Sequence, residues 1–169
     1  MTASALAPAV ERNPESFYWK QEIREYIRRL GGLLDNFEMG MFVEEFADDG
    51  RYQLIPRENL EGGYPVCLID DTKPRLRYRQ RLIEKHWHYE KFRELRMLSP
   101  VSVDVGKGGG AANAITNFVI FRTDDDGTSK LHVCGTFQDE FVRQDRWRIK
   151  NRKAILDTYL PTQAIILPP

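Results

Sequence analysis

Near Leu95 the hydrophobic period of the chain changes, and that change limits what it can fold into. Before this point apolar residues recur at every third or fourth position; after it they alternate. Phe17, Ile23, Ile27, Leu30 and Leu34 predict a helix beginning after Pro14, which Gly31-Gly32 weakens without ending. Met39, Phe42, Val43 and Phe46 form a second stripe that closes on Asp48-Asp49-Gly50, a turn signal. Arg51 to Ile55 reads as a strand stopped by Pro56, and a loop rich in Gly, Pro and Asp follows from Arg57 to Lys73. Arg75 to Tyr89 has helical spacing again, with Leu76, Gln80, Ile83 and Trp87 on one face. Beyond Leu95, the segments Met97 to Val105, Ala114 to Arg122, Lys130 to Arg143 and Trp147 to Tyr159 are long, β-rich and divided by short turn clusters. Helices followed by a strongly bent antiparallel meander define an α+β domain, with the helices packed into the concave face of the sheet. Residues 1–13 read as a mobile tail and residues 14–169 as one domain, since a chain of 169 residues can bury roughly 70% of its unfolded surface in a single core.

Charge and cysteine content exclude several classes of function. Lys plus Arg and Asp plus Glu both number 25, so the chain has no overall field to draw nucleic acid or an anionic membrane. No apolar run approaches the ~20 residues that span a bilayer. Met1 to Pro14 lacks the basic and apolar regions of a secretory signal. Two cysteines, Cys67 and Cys134, make no disulfide framework, and a reduced cytoplasm is the expected location. Lys73 to Arg96 carries nine basic residues and three Glu. With the compensating acids at Glu22, Glu25, Glu38, Glu44 and Glu45, this segment reads as a partner in ion pairs between subunits.

Motifs that carry chemistry are few. Gly106-Lys107-Gly108-Gly109-Gly110-Ala111 satisfies the dinucleotide pattern formally, but that pattern needs a helix after it to hold the pyrophosphate. The β-branched run Ile115-Thr116-Asn117-Phe118-Val119-Ile120-Phe121 follows instead, so the glycines read as a turn between strands. His86 and His88 stand two apart, and a helix would send them to different sides. Neither cysteine heads a Cys-x-His pair, which a Rieske cluster requires. Neither a Gly-x-Ser-x-Gly elbow nor a phosphate-binding Walker sequence occurs. The adjacent pairs Asp48-Asp49 and Asp70-Asp71 read as caps and turns. The closing stretch Ala164-Ile165-Ile166-Leu167 is apolar between Pro161 and Pro168-Pro169, and only Thr162 to Leu167 could join a ladder. It is expected to dock on its own sheet or on a neighbouring subunit.

Several pieces, taken in order, carry a family resemblance. Leu33-Leu34-Asp35 and Phe46-Ala47-Asp48-Asp49-Gly50-Arg51-Tyr52 resemble the opening of the small (β) subunits of Rieske-type aromatic-ring-hydroxylating dioxygenases. The likeness continues through Ile69-Asp70-Asp71, Arg79-Gln80-Arg81-Leu82 and Arg96-Met97-Leu98-Ser99-Pro100-Val101. It closes with Asn117-Phe118 and the run from Trp147 to Asp157. The resemblance implies a cone-like fold of the nuclear transport factor 2 (NTF2) and scytalone dehydratase type. It also implies a trimer within an α3β3 hexamer in aromatic compound breakdown. The Rieske [2Fe–2S] cluster and mononuclear iron would lie on the large α oxygenase subunit, leaving this chain without cofactor, metal or catalytic residues of its own. The same cone hosts small lyases and isomerases that work by acid–base chemistry, and in that alternative Asp48, Tyr52, His86 and His88 would meet inside the cone.

Overall fold

The computed structural model describes residues 14–64, 66–158 and 164–169; the tail expected over residues 1–13 lies outside them. Among the described residues, three helices and a small helical turn accompany seven strands in one sheet. Helix α1 (Pro14–Asp35) and the short α2 (Met39–Glu44) lead into β1 (Phe46–Pro56). Then come α3 (Arg57–Glu61), β2 (Ile69–Thr72), α4 (Lys73–Lys85), β3 (Phe92–Leu98), β4 (Ser102–Val105), β5 (Ala111–Asp124), β6 (Ser129–Arg143) and β7 (Trp147–Leu156). The strand order is β2-β1-β7-β6-β5-β3, with β4 beside β3 on the same edge of β5. Helix α1 crosses β3 and β4, α4 crosses β1 and β2, and α2 joins the two helices, so the sheet curls around a helical filling.

The sheet is mixed. The strands β3, β5, β6 and β7 form the expected antiparallel meander, but β1 lies parallel to β7 and carries β2 antiparallel on its outer side. The turn signal Asp48-Asp49-Gly50 does not end an element. It loops out of β1, where the five-residue step from Phe46 to Arg51 faces only the step from Ile149 to Asn151. Residues that favour turns here make a bulge, because the ladder on either side keeps the strand going. The loop read over Arg57 to Lys73 contains α3 and β2. Helix α4 ends at Lys85, with His86 closing it, so it stops short of Tyr89. Met97 to Val105 is not one strand: Ser99-Pro100 separates β3 from β4, and β3 begins earlier, at Phe92. Proline has no N–H to give a ladder, which accounts for the break.

The core follows the two periods. Ile23, Ile27, Leu30 and Leu34 of α1 pack against Phe118, Phe137, Phe141 and Ile149 from alternate positions of β5, β6 and β7. Phe118 stacks on Phe137 with ring centroids 4.1 Å apart. Burying a side chain of this kind contributes about 1.5–3 kcal/mol. The glycine cluster is the hairpin turn between β4 and β5. Gly109 has φ +67°, and a Cβ there would stand 2.5 Å from the Trp19 ring, so glycine is needed for the backbone and for the packing. Gly135, in mid-β6, lets β7 approach so closely that a Cβ would fall 2.0 Å from the Ile155 carbonyl oxygen.

Candidate functional site

Charge is concentrated inside the curl, where the sequence pattern places apolar residues. The carboxylate of Asp35, at the end of α1, accepts the Arg96 backbone N–H at 3.1 Å and its Nη1 at 2.7 Å. Nη2 of Arg96 donates to Glu94 at 2.7 Å and to the Pro168 carbonyl at 3.0 Å. The Arg96 side chain is only 1% exposed, and its Nε is buried with no partner among the described residues. Burial pushes the Glu94 carboxyl up, against the opposing pull of Arg96. One strand further in, Arg122 donates to Asp124 at 2.9 Å and lies 4.0 Å over the Phe92 ring.

A bulge adds a histidine to this group. Ile120 pairs with Val133 and Phe121 with Leu131, so His132 is the extra residue of β6. Both His132 and Val133 are buried, and neither ring nitrogen of His132 has a hydrogen-bond partner among the described residues. Burial first, and then the charges of Arg122 and Arg96, push this imidazole below its ordinary range, so it is neutral at pH 7.

Deeper, Arg152 of β7 and Asp139 of β6 stand opposite each other and form a two-pronged pair, 2.7 and 2.8 Å, with both side chains buried. The guanidinium sits 4.7 Å over Phe137. Tyr52, fully buried, donates its hydroxyl to the Pro169 backbone oxygen at 3.3 Å, and burial raises its pKa above the ordinary phenol value. Near the other end of the core, Glu45 takes Tyr26 Oη at 3.0 Å and Arg29 Nη1 at 3.0 Å, with Arg146 at 3.3 Å. Burial pushes the Glu45 carboxyl up, but those donors outweigh it and hold the group below its usual range.

The four residues of the acid–base alternative do not meet. Tyr52 alone is interior. Asp48 is fully exposed and lies 3.3 Å from the Lys73 ammonium. His86 closes α4 on the surface, and exposed His88 sets its Nδ1 3.1 Å from the His86 carbonyl. Among the described residues no cluster of three or more His, Cys, Asp or Glu side chains could hold a metal ion. Neither cysteine is in a disulfide among the described residues, and both are half-buried. No helix among the described residues is long and apolar enough to cross a membrane.

Part of the basic segment pairs within the chain. Arg77 forks onto Glu44 at 2.9 Å, and Asp71 takes Arg79 at 2.7 Å and Arg75 at 3.3 Å. Lys73 is buried and donates to the Phe46 carbonyl at 2.8 Å. The closing stretch, too, docks on its own chain: Leu167, Pro168 and Pro169 are buried inside the curl, though 164–169 forms no strand. Residues 159–163 lie outside the described residues.

The outer face of the sheet differs across its width. Over β1 and β7 it is polar, with Arg51, Gln53, Asn151 and Lys153. Over β3, β5 and β6 it presents exposed Leu95, Met97 and Leu131. Half-buried Phe121 and Val119 lie between them, because Leu95 pairs with Phe121, Phe121 with Leu131, and Met97 with Val119.

An α+β curl with a mixed sheet closed over its first helix is an NTF2-like architecture. An NTF2-like protein with a cystatin-like fold from Novosphingobium aromaticivorans superposes with a TM-score of 0.64 at 22% identity, covering 91% of this chain and 94% of that one. The SnoaL-like domain model matches residues 19–153. The anthranilate 1,2-dioxygenase small subunit of Burkholderia cepacia is 31% identical over 140 residues, which are 81% of this chain and 86% of the relative. The β subunit of a putative aromatic-ring-hydroxylating dioxygenase from Novosphingobium aromaticivorans is 26% identical, with a TM-score of 0.76 over 87% of this chain and 94% of that one. The chain belongs to the SnoaL-like small subunits of aromatic-ring-hydroxylating dioxygenases.

Arg96, Glu94, Asp139, Arg152 and His132 are the interior groups that sequence pattern did not single out as a site. Asp35, Arg96 and Arg152 lie in the resemblance segments, and the structure shows what they do there: they fasten helix to sheet and strand to strand.

Proposed function

We propose that this chain is the non-catalytic β subunit of a cytoplasmic, multicomponent oxygenase in aromatic compound breakdown. It associates as a trimer and holds three large α subunits in an α3β3 hexamer. The Rieske [2Fe–2S] cluster and mononuclear iron belong to the α subunit. The apolar strip of Leu95, Met97 and Leu131 on the outer sheet face carries the reading, since an isolated soluble domain gains nothing by presenting such a strip beside a polar one. The interior supports it as well. Its carboxylates are tied to arginines, and Tyr52 is engaged and held protonated, which suits a rigid scaffold better than proton transfer.

Light scattering tests the assembly. The chain alone, or with a large oxygenase subunit co-expressed, should run as species built on three times its 19.7 kDa. The pair Met97→Glu and Leu131→Glu should abolish that association while leaving the circular dichroism spectrum intact. A chain that stays monomeric alone and with the large subunit would overturn the reading.

A further inference from the structure

A second apolar surface lies toward the β2 edge of the sheet, at the opposite end of the strand order from β3. Between α3 and β2 the chain exposes Leu60, Tyr64, Val66 and Leu68, by 38% to 68%. The segment is fastened to the domain. Asn59 Nδ2 donates to the Val66 carbonyl at 2.8 Å, and the Leu68 N–H to the Leu54 carbonyl of β1 at 2.7 Å. Beside it opens a hollow of about 280 Å³ lined by Ile55, Leu60, Tyr64 and Cys67, which Gln53 and Lys153 bound on the side of the polar band. Large apolar side chains held out around a hollow mark a surface made to be covered. The strip of Leu95, Met97 and Leu131 is its converse, side chains standing out from a paired ladder. Charge is complementary too. Arg93 is exposed on the same face of β3 as Leu95, while Glu58 and Glu61 are exposed on α3 next to Leu60. A ring of three adds a condition: no two-fold axis relates its neighbours, so every contact joins two different surfaces of the chain. A strip that met another strip would close a dimer and stop there.

We propose that the hollow beside α3 receives the apolar strip of a neighbouring copy of this chain, so that the subunits join head to tail, with Arg93 of one copy facing Glu58 and Glu61 of the next. This rests on the trimer proposed above and names the surface that completes it. Three preparations of the full chain test it by light scattering: Met97→Glu with Leu131→Glu, which spoils the strip; Tyr64→Glu with Leu68→Glu, which spoils the hollow's rim; and an equimolar mixture of the two. All four side chains are exposed, so circular dichroism should show the wild-type spectrum in each. Either variant alone should lose association and scatter as a monomer near 19.7 kDa. Mixed, they should form one-to-one pairs and no ring, because one chain keeps its rim, the other keeps its strip, and the two remaining surfaces are spoiled. Arg93→Glu should weaken the wild-type trimer, and Glu58→Lys with Glu61→Lys in the same chain should restore it. A rim variant that still forms trimers would overturn the proposal; if it has lost the large oxygenase subunit, the rim serves that subunit instead. Two monomeric variants that stay apart when mixed well above the concentration that assembles the wild type would overturn it as well. A wild-type chain that is monomeric both alone and with the large subunit would refute the trimer itself, and this proposal with it.

Discussion

Asp139→Asn removes one charge from the most enclosed ion pair of the fold. The carboxylate accepts both prongs of Arg152 on the adjacent strand, and neither side chain touches solvent to any useful extent. An amide keeps the shape but can accept at one oxygen only, so a buried guanidinium is left uncompensated between Phe137 and Phe42. Breaking a buried pair in this way costs about 3–5 kcal/mol, a large part of the ~5–15 kcal/mol that holds a domain folded. At ~2–4 °C per kcal/mol for a domain of this length, the melting temperature should fall by about 10 °C. Replacing both partners, Arg152→Met with Asp139→Leu, removes the unpaired charge together with its partner and should recover most of the loss. Urea unfolding of the wild type, both singles and the double gives the coupling directly, provided that protomer concentration is held constant in an associating protein. A single variant costing under about 1 kcal/mol, or a double whose loss is the sum of the singles, would refute the argument.

Three further outcomes follow. His132 is held neutral by burial and by Arg122 and Arg96, against the weaker opposing charge of Asp124, so unfolding takes up a proton that the native state refuses. Stability should therefore fall as pH drops below the ordinary imidazole value, by at most ~1.4 kcal/mol per pH unit from this group, and His132→Phe should flatten a melting curve series between about pH 7 and pH 5. Gly135→Ala sets a Cβ against the Ile155 carbonyl oxygen and should cost about 3 kcal/mol, seen as a lower urea midpoint with β6 and β7 losing amide protection. Asp48→Asn, on a fully exposed side chain, should change stability by less than ~0.5 kcal/mol and leave the turnover of a reconstituted oxygenase unaltered.

The long strands were legible because β5, and β6 and β7 over most of their length, bury every second residue, and α1 because its stripe repeats at helical spacing. What pattern could not supply was partnership. Alternation from Arg51 to Ile55 announces a strand but not that it runs parallel to a partner about a hundred residues away. Nor does anything local mark Asp35 as the partner of Arg96, since the two meet only once α1 lies across β3. His132 escaped for a related reason: it faces inward because a bulge shifts the register of β6, and the bulge shows in the pairing rather than in Leu131-His132-Val133-Cys134. The Asp48-Asp49-Gly50 signal was real chemistry in another setting, a turn former absorbed as a bulge.

The parallel seam between β1 and β7 also governs when the molecule can form. During synthesis, at ~5–20 residues per second, β1 leaves the ribosome many seconds before the strand that will cover its edge. Until then α1 and α2 have no completed sheet to lie on, and β1 can pair only with β2. The hairpins of β5 with β6 and β6 with β7 close over short spans, so they set the early contacts, and docking of β1 is the high-contact-order step that comes last. Nascent chains stalled before Leu156 is extruded should thus be open to chaperones and proteases along β1, whereas those stalled after it should not.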